Sequence, residues 1–121
     1  MNWNHSTLQG WLMVFLHRKY EGQGFKIMPE LRLRVSPTRV RVPDVCVFLS
    51  DPGERVPTRA PFICIEVLSP DDRLSRVQVR INDYLDMGVR YVWVLDPETR
   101  QADIATAAEG FREVKTGVLR T

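Results

Sequence analysis

Two strongly apolar runs, each with one carboxylate near an end, constrain the fold of this chain more than any other feature. The first is Val45-Cys46-Val47-Phe48-Leu49, preceded by Asp44, and the second is Phe62-Ile63-Cys64-Ile65-Glu66-Val67. Runs this rich in β-branched residues are typical of buried strands. A carboxylate is costly to bury unless a cation or hydrogen-bond donors compensate its charge. Two acids at the mouth of one buried strand pair therefore suggest a divalent-metal site.

The parity of the two runs predicts how they pair. Side chains alternate between the two faces of a strand, so residues two apart share a face. An antiparallel register that sets Asp44 opposite Glu66 also pairs Cys46 with Cys64 and Phe48 with Phe62. Directly opposed side chains lie roughly 4.5–5.5 Å apart at Cβ. In this register both carboxylates would reach one ion.

Length and composition predict one soluble globular domain over residues 1–121. The chain is 44% apolar and 26% charged, which is ordinary for such a domain. No apolar run approaches the ~20 residues of a membrane span, and no basic-then-apolar signal pattern begins the chain, so the expected location is cytoplasmic. Cys46 and Cys64 lie in apolar runs without Cys-x-x-Cys spacing, which favours buried thiols over a disulfide or a zinc site.

The charge pattern alone does not identify a partner. The net charge is +2, too small to indicate nucleic acid by itself. Four arginines flank the turn Ser36-Pro37-Thr38, namely Arg32, Arg34, Arg39 and Arg41. Guanidinium groups match phosphate geometry, but the same residues are also consistent with the solvated outward positions of a hairpin. Taken alone, the pattern favours the solvated hairpin.

Local signals predict a mixed α+β order. The expected elements are a helix from Ser6 to Tyr20 that starts with a capping box, a hairpin of strands 25–35 and 39–49, a strand 61–68, a helix capped by Ser69 that ends before Gly88, a strand 89–95 and a hairpin of 101–106 and 111–119. Pro29 predicts an edge or a bulge in the first hairpin strand. The order indicates a mixed sheet with helices packed on it.

Several residues have a structural interpretation beside the chemical one. Asp44 could be a strand-entry residue that accepts backbone hydrogen bonds, and Glu66 an exposed acid paired with Arg80 or Arg73; the residues alone weigh this evenly against a metal site. Other positions favour ordinary roles. The predicted helix-surface residues are His5 and His17, the predicted helix-start acids are Asp71 and Asp72, and the predicted core or interface aromatics are Trp11, Trp93 and Tyr91.

An ordered set of fragments resembles a known family. The fragments are Val42-Pro43-Asp44-Val45, Ile65-Glu66-Val67-Leu68-Ser69-Pro70, Arg80 with Tyr84, and the run from Gly88 to Pro97. Together they span about residues 5 to 106 and resemble the putative restriction endonuclease (Uma-two) family, a branch of the PD-(D/E)XK nuclease superfamily.

This resemblance implies a restriction-endonuclease-like mixed β-sheet core flanked by helices. It implies Asp44, Glu66 and the backbone carbonyl of Val67 as Mg²⁺ ligands, with Mn²⁺ as a substitute. It further implies Mg²⁺-dependent hydrolysis of DNA phosphodiester bonds, with Arg80 as a catalytic residue at the place where the family carries a lysine.

The chain also departs from the family pattern. Arg80 keeps the positive charge of the family's lysine but is effectively never deprotonated. Family members usually begin with a further segment bearing a glutamate hairpin, which this chain is expected to lack. The alternative function is therefore a catalytically impaired nuclease fold that serves as a nucleic-acid-binding or subunit-interaction module. An exposed strand edge near Pro29 would also allow a homodimer.

Overall fold

The computed structural model describes residues 3–20 and 22–114, with residues 3 and 4 in backbone alone. The helices are α1 (Trp3–Lys19) and α2 (Leu74–Met87). The strands are β1 (Lys26–Pro29), β2 (Leu33–Ser36), β3 (Arg39–Arg41), β4 (Val45–Phe48), β5 (Ile63–Val67), β6 (Tyr91–Leu95), β7 (Ala102–Thr106) and β8 (Gly110–Glu113).

Six of the strands form one mixed sheet in the order β1-β4-β5-β6-β7-β8. All neighbours are antiparallel except β5 and β6, which run parallel and are joined through α2. A parallel pair requires such a crossover, because a tight turn can join only antiparallel strands. The β2–β3 hairpin is a separate two-stranded sheet. The predicted α+β fold with a mixed sheet and flanking helices is confirmed.

The central strands of the sheet are buried on both faces. Strands β4 and β5 are buried along their whole length, which explains their uninterrupted apolar sequences. Leu12 and Leu16 of α1 cover one face, while Val77 and Ile81 of α2 cover the other. Trp11 is 68% exposed, so of its two predicted roles the core position is wrong and the interface position stays a prediction.

The predicted antiparallel register of β4 and β5 is confirmed. Cys46 lies opposite Cys64, and both are free, buried cysteines as expected. The predicted pairing of Phe48 with Phe62 is wrong. Phe48 packs on the α2 side, whereas Phe62 packs on the α1 side against the ring of Tyr91. Because β5 begins after Phe62, strand alternation does not govern that side chain.

The predicted first hairpin is split into two. A single pair of long strands was expected, but β1 pairs with β4 in the main sheet and β2 pairs with β3 outside it. The break lies at Pro29 and Glu30, where the backbone φ of Glu30 is 49°. Such a positive φ ends an extended strand for a non-glycine residue. Strand β1 is an edge strand, as Pro29 predicted.

Both predicted helix starts are wrong. Helix α1 begins at Trp3, which places Ser6 inside the helix instead of at its cap. Helix α2 has Arg73 as its N-cap residue and not Ser69. The side chain of Asp72 accepts hydrogen bonds from the backbone N–H of Ser69 at 2.8 Å and from its hydroxyl at 3.2 Å. This local side-chain turn competes with helix formation and delays the start.

The last predicted hairpin is present as β7 and β8, and its predicted extension beyond residue 114 lies outside the described residues. Neither helix in the described part of the chain is long and apolar enough to cross a lipid bilayer.

Replacing Gly88 by alanine is expected to destabilise the fold by about 1–2 kcal/mol. Gly88 ends α2 with φ 107°, and a Cβ there would meet Ala60 only at an ordinary 3.6 Å, so the cost comes from the backbone. Gly10→Ala is the matched control, because Gly10 lies inside α1 with open space around it. It should stabilise by about 0.8–1 kcal/mol. Urea unfolding of both variants checks the opposite signs.

Candidate active site

Asp44 lies immediately before β4, beside the end of β5. The antiparallel pairing brings these two strand ends together. One carboxylate oxygen of Asp44, Oδ2, accepts a hydrogen bond from the backbone N–H of Val67 at 2.7 Å. The other oxygen, Oδ1, lies 3.2 Å from Nε2 of His5 on α1. The Asp44 side chain is only 17% exposed, so it faces into the molecule and not into bulk water.

Glu66 lies next to last in β5 and faces α2. It is a buried acid with 5% exposure. The hydroxyl of Tyr84 donates a hydrogen bond to Oε1 of Glu66 at 2.5 Å, and Nε of Arg80 lies 3.7 Å from the same oxygen. Tyr84 itself is fully buried, so this contact holds the carboxylate in one orientation.

Arg80 on α2 lies between Glu66 and a second acid, Asp72. Its Nη2 lies 3.5 Å from Oδ1 of Asp72, while its Nε faces Glu66. The Nε–H of Arg80 is buried and donates no hydrogen bond within the described part of the protein. Glu66 compensates its charge at 3.7 Å but is too distant to accept a hydrogen bond, and a bound anion would supply that acceptor.

The electrostatics of the site favour a cation. Burial raises the pKa of Glu66 to about 7. The hydrogen bond from Tyr84 lowers this pKa, and the negative charge of Asp44 raises it further. Burial also raises the pKa of Asp44, although the Val67 N–H and His5 oppose the change. Both carboxylates are therefore incompletely compensated when ionised. Such an acid pair matches a divalent cation in charge and in ligand type.

The backbone of Val67 adds a further oxygen. In a strand, the N–H and C=O of one residue point to the same neighbouring strand. Since the Val67 N–H bonds to Asp44, its carbonyl also faces the β4 side. No group of three or more His, Cys, Asp or Glu side chains arranged to hold a metal occurs in the described residues. The available ligands are two carboxylates and this carbonyl, an oxygen set that suits Mg²⁺ with water completing its shell.

The structure brings together all four residues named for the site, namely Asp44, Glu66, Val67 and Arg80. The nearby arginine cluster does not join them. Arg39 and Arg41 both bind the carboxylate of Asp83 on α2, at 3.0 Å and 2.8 Å. These two guanidinium groups tie the β2–β3 hairpin to α2. They lie on a hairpin, as the favoured interpretation had it, but they are paired with an acid and are not a free cluster for phosphate.

Sequence reasoning missed the contribution of α1. His5 was expected on the helix surface, yet it contacts Asp44, and the Gln9 side chain donates to the Asp44 carbonyl at 2.9 Å. The signal was available in the spacing. His5, Gln9, Leu12 and Leu16 recur with helical periodicity, and the last two of them are buried. Polar residues that continue a buried stripe are candidates for a buried polar contact.

Comparison with known proteins identifies a family and a similar solved structure. A crystal structure of a putative nuclease belonging to DUF820, from Anabaena variabilis ATCC 29413, superposes with a TM-score of 0.84 and 22% sequence identity. The match covers 93% of this chain and 68% of that chain, and it shows the fold. None of the curated proteins matches. The model of the Uma2 family, described as "Putative restriction endonuclease", matches residues 1–118. This chain belongs to the Uma2 family, as the resemblance in its sequence predicted.

Proposed function

We propose that this protein is a Mg²⁺-dependent DNA endonuclease that hydrolyses phosphodiester bonds. Membership of a restriction-endonuclease family supports a nuclease. The observation that carries the proposal is the pair of Asp44, largely shielded from solvent, and buried Glu66, with Arg80 beside it. The Nε–H of Arg80 lies 3.7 Å from Glu66 and donates no hydrogen bond among the described residues. A cation-attracting acid pair next to an anion-attracting guanidinium is what a phosphodiester and its metal ion require.

Asp44, Glu66 and the Val67 carbonyl would hold the Mg²⁺ ion, and Mn²⁺ would serve in its place. When bound, the ion supplies Lewis-acid polarisation of the phosphoryl group and a lowered pKa for water. Its ligands are prepared by their neighbours. Tyr84 orients Glu66, while the Val67 N–H and His5 orient Asp44. Removing a contact that orients a metal ligand typically lowers metal affinity or activity by about 10–100-fold.

Arg80 supplies charge to the reacting phosphate. In the hydrolysis, a bond forms between the water oxygen and phosphorus while one ester P–O bond breaks, so negative charge grows on the phosphoryl oxygens. The Nε–H of Arg80 is a preformed donor for that charge. Its guanidinium stays protonated and does not exchange protons with the attacking water.

Nicking of supercoiled plasmid tests the proposal. The wild-type protein should convert supercoiled DNA to the open circular form with Mg²⁺ or Mn²⁺ and not with EDTA. Calorimetric titration with Mn²⁺ should show binding that Glu66→Gln weakens. Metal-independent nicking, or Mn²⁺ binding that Glu66→Gln leaves unchanged, would contradict the assignment of the site.

A second candidate is a catalytically impaired nuclease fold that binds nucleic acid or a subunit. The specific observation in its favour is that Arg80 lies 3.5–3.7 Å from two acids and cannot be deprotonated. Arg80→Lys separates the two candidates. An impaired protein should gain activity, by about 10²-fold or more if the lost function is acid–base transfer. An active enzyme that uses Arg80 electrostatically should lose activity instead, as plasmid nicking would measure.

A DNA substrate and the free thiols Cys46 and Cys64 are consistent with a proposed cytoplasmic location. The outer edge of β1 is the place where a second copy could pair to form a homodimer.

A further inference from the structure

Helix α1, whose first turn contacts the site, also carries an exposed aromatic face. This outer face consists of Gly10, Trp11, Val14, Phe15 and Arg18. Trp11 is 68% exposed and Phe15 is 55% exposed, although both are large apolar side chains. The opposite side of the helix is buried and contacts the site, since its first turn places His5 against Asp44. An apolar patch of this kind marks an interaction surface.

The outer face has the shape to accept a flat group. An open groove of about 470 Å³ on this face is lined by Ser6, Thr7, Gly10, Trp11, Val14 and Arg18. Glycine is unfavourable inside a helix, and a Cβ at Gly10 would touch nothing within 4 Å, so packing within the protein does not require it. Gly10 and Trp11 line the same groove, and the missing side chain at Gly10 keeps that groove open.

The charge of α1 identifies the kind of partner. The helix contains no Asp or Glu, and its last turn carries His17, Arg18 and Lys19. A second copy of the same helix would present the same basic residues and no acid to pair with them. A polyanion complements this surface.

We propose that the outer face of α1 binds single-stranded DNA beside the phosphate at the acids. Trp11 would stack on an unpaired base and Arg18 would contact a phosphate. The inference rests on the proposed nuclease function and names its substrate as DNA with an unpaired segment. In a duplex, each base already stacks on both neighbours, so an exposed indole has no base face to cover.

Distances along the helix suit a strand leaving the site. At 1.5 Å per residue, Trp11 lies about 9 Å beyond His5 and Arg18 about 20 Å beyond it. A strand that runs from the acids along α1 and round to its outer face would therefore reach the indole before the guanidinium. Phe15, one turn after Trp11, extends the aromatic surface in the same direction.

Fluorescence anisotropy with a labelled oligothymidylate in EDTA tests the inference without cleavage. Trp11→Ala should weaken single-strand binding by about 5-fold to 150-fold, the range for loss of one stacked base. Trp11→Phe should retain most of the affinity. Phe111→Ala is the matched control, because Phe111 is an exposed aromatic on β8, at the far edge of the sheet, and its loss should leave affinity unchanged. Arg18→Gln should reduce the slope of log affinity against log salt by about 0.7.

Two outcomes would overturn the inference. One is equal single-strand affinity for Trp11→Ala and Phe111→Ala. The other is a wild-type dimer that Trp11→Ala converts to monomer in sedimentation without a change in DNA affinity, which would make this face a protein interface. Failure of the proposed nuclease function is recognised separately, by a lack of Mg²⁺-dependent nicking while Trp11-dependent binding persists in EDTA.

Discussion

Replacing Asp44 by asparagine is expected to reduce Mg²⁺-dependent nicking by about 10³-fold or more. Asparagine keeps the size of the side chain and an oxygen that can accept the Val67 N–H, so the strand ends should stay in place. It removes one of the two negative charges that would hold the cation. The loss of several kcal/mol of metal-based stabilisation corresponds to about that factor in rate.

Asp103→Asn provides the matched control for this substitution. Asp103 is also a buried carboxylate whose pKa is raised by burial, but it lies on β7, two strands away from β5. Its replacement should leave the nicking rate unchanged. Plasmid nicking over a Mg²⁺ titration measures both variants. If Asp44→Asn cleaves at the wild-type rate and with the same Mg²⁺ requirement, Asp44 is not a ligand and the proposed mechanism fails.

Replacing Glu66 by glutamine is expected to stabilise the metal-free protein at alkaline pH by about 3 kcal/mol. The pKa of Glu66 is raised from 4.5 to about 7 by burial, a difference of about 2.5. Each pKa unit corresponds to about 1.4 kcal/mol, which gives the estimate. Glutamine keeps an oxygen to accept the Tyr84 hydroxyl and never carries the charge.

The sign follows from which state holds the proton. At a pH below the pKa that Glu66 has in the unfolded chain, Glu66 is protonated in both the folded and the unfolded protein. Its contribution to the free energy of unfolding is then fully present. Between that value and about 7, the unfolded chain has released the proton while the folded protein retains it. Stability is therefore lost as the pH rises through this window, and above it the folded protein carries the full penalty. Glu66→Gln should not show this loss.

Urea unfolding in EDTA from acidic to mildly alkaline pH measures the effect as the difference between the two proteins. Subtracting the variant removes the contributions of other groups, including Asp83, whose pKa is lowered by Arg39 and Arg41 against the opposing effect of burial. Mg²⁺ should recover stability in the wild type more than in Glu66→Gln, because only the wild type has the complete acid pair. A difference that does not vary with pH would show that Glu66 ionises normally.

Local rules were sufficient for the centre of the sheet. Side chains in β4 and β5 alternate between the two faces, and this alternation predicted the register in which Cys46 faces Cys64. The structure confirms that register. The same parity brought Asp44 and Glu66 to adjacent strand ends. The end of α2 at Gly88 was also predicted, because glycine commonly ends helices in a left-handed conformation. Its φ of 107° agrees with that role. Each of these features depends on interactions within one strand pair or one helix end.

The tertiary structure decided what distant parts of the chain contribute. His5 lies far from Asp44 in sequence, and only the packing of α1 on the sheet brings them to 3.2 Å. Ser69 had an ideal capping sequence, but its hydroxyl donates to the Asp72 carboxylate, and the helix begins only after Arg73. Trp11 follows the apolar spacing of α1 yet lies outside the core, because one helix face covers the sheet and the other does not. Side-chain periodicity acts over a few residues, so the sequence by itself determined the strand pair that carries the acids. Which side chains surround those acids depended on how the helices pack against that pair, and that packing is a property of the whole fold.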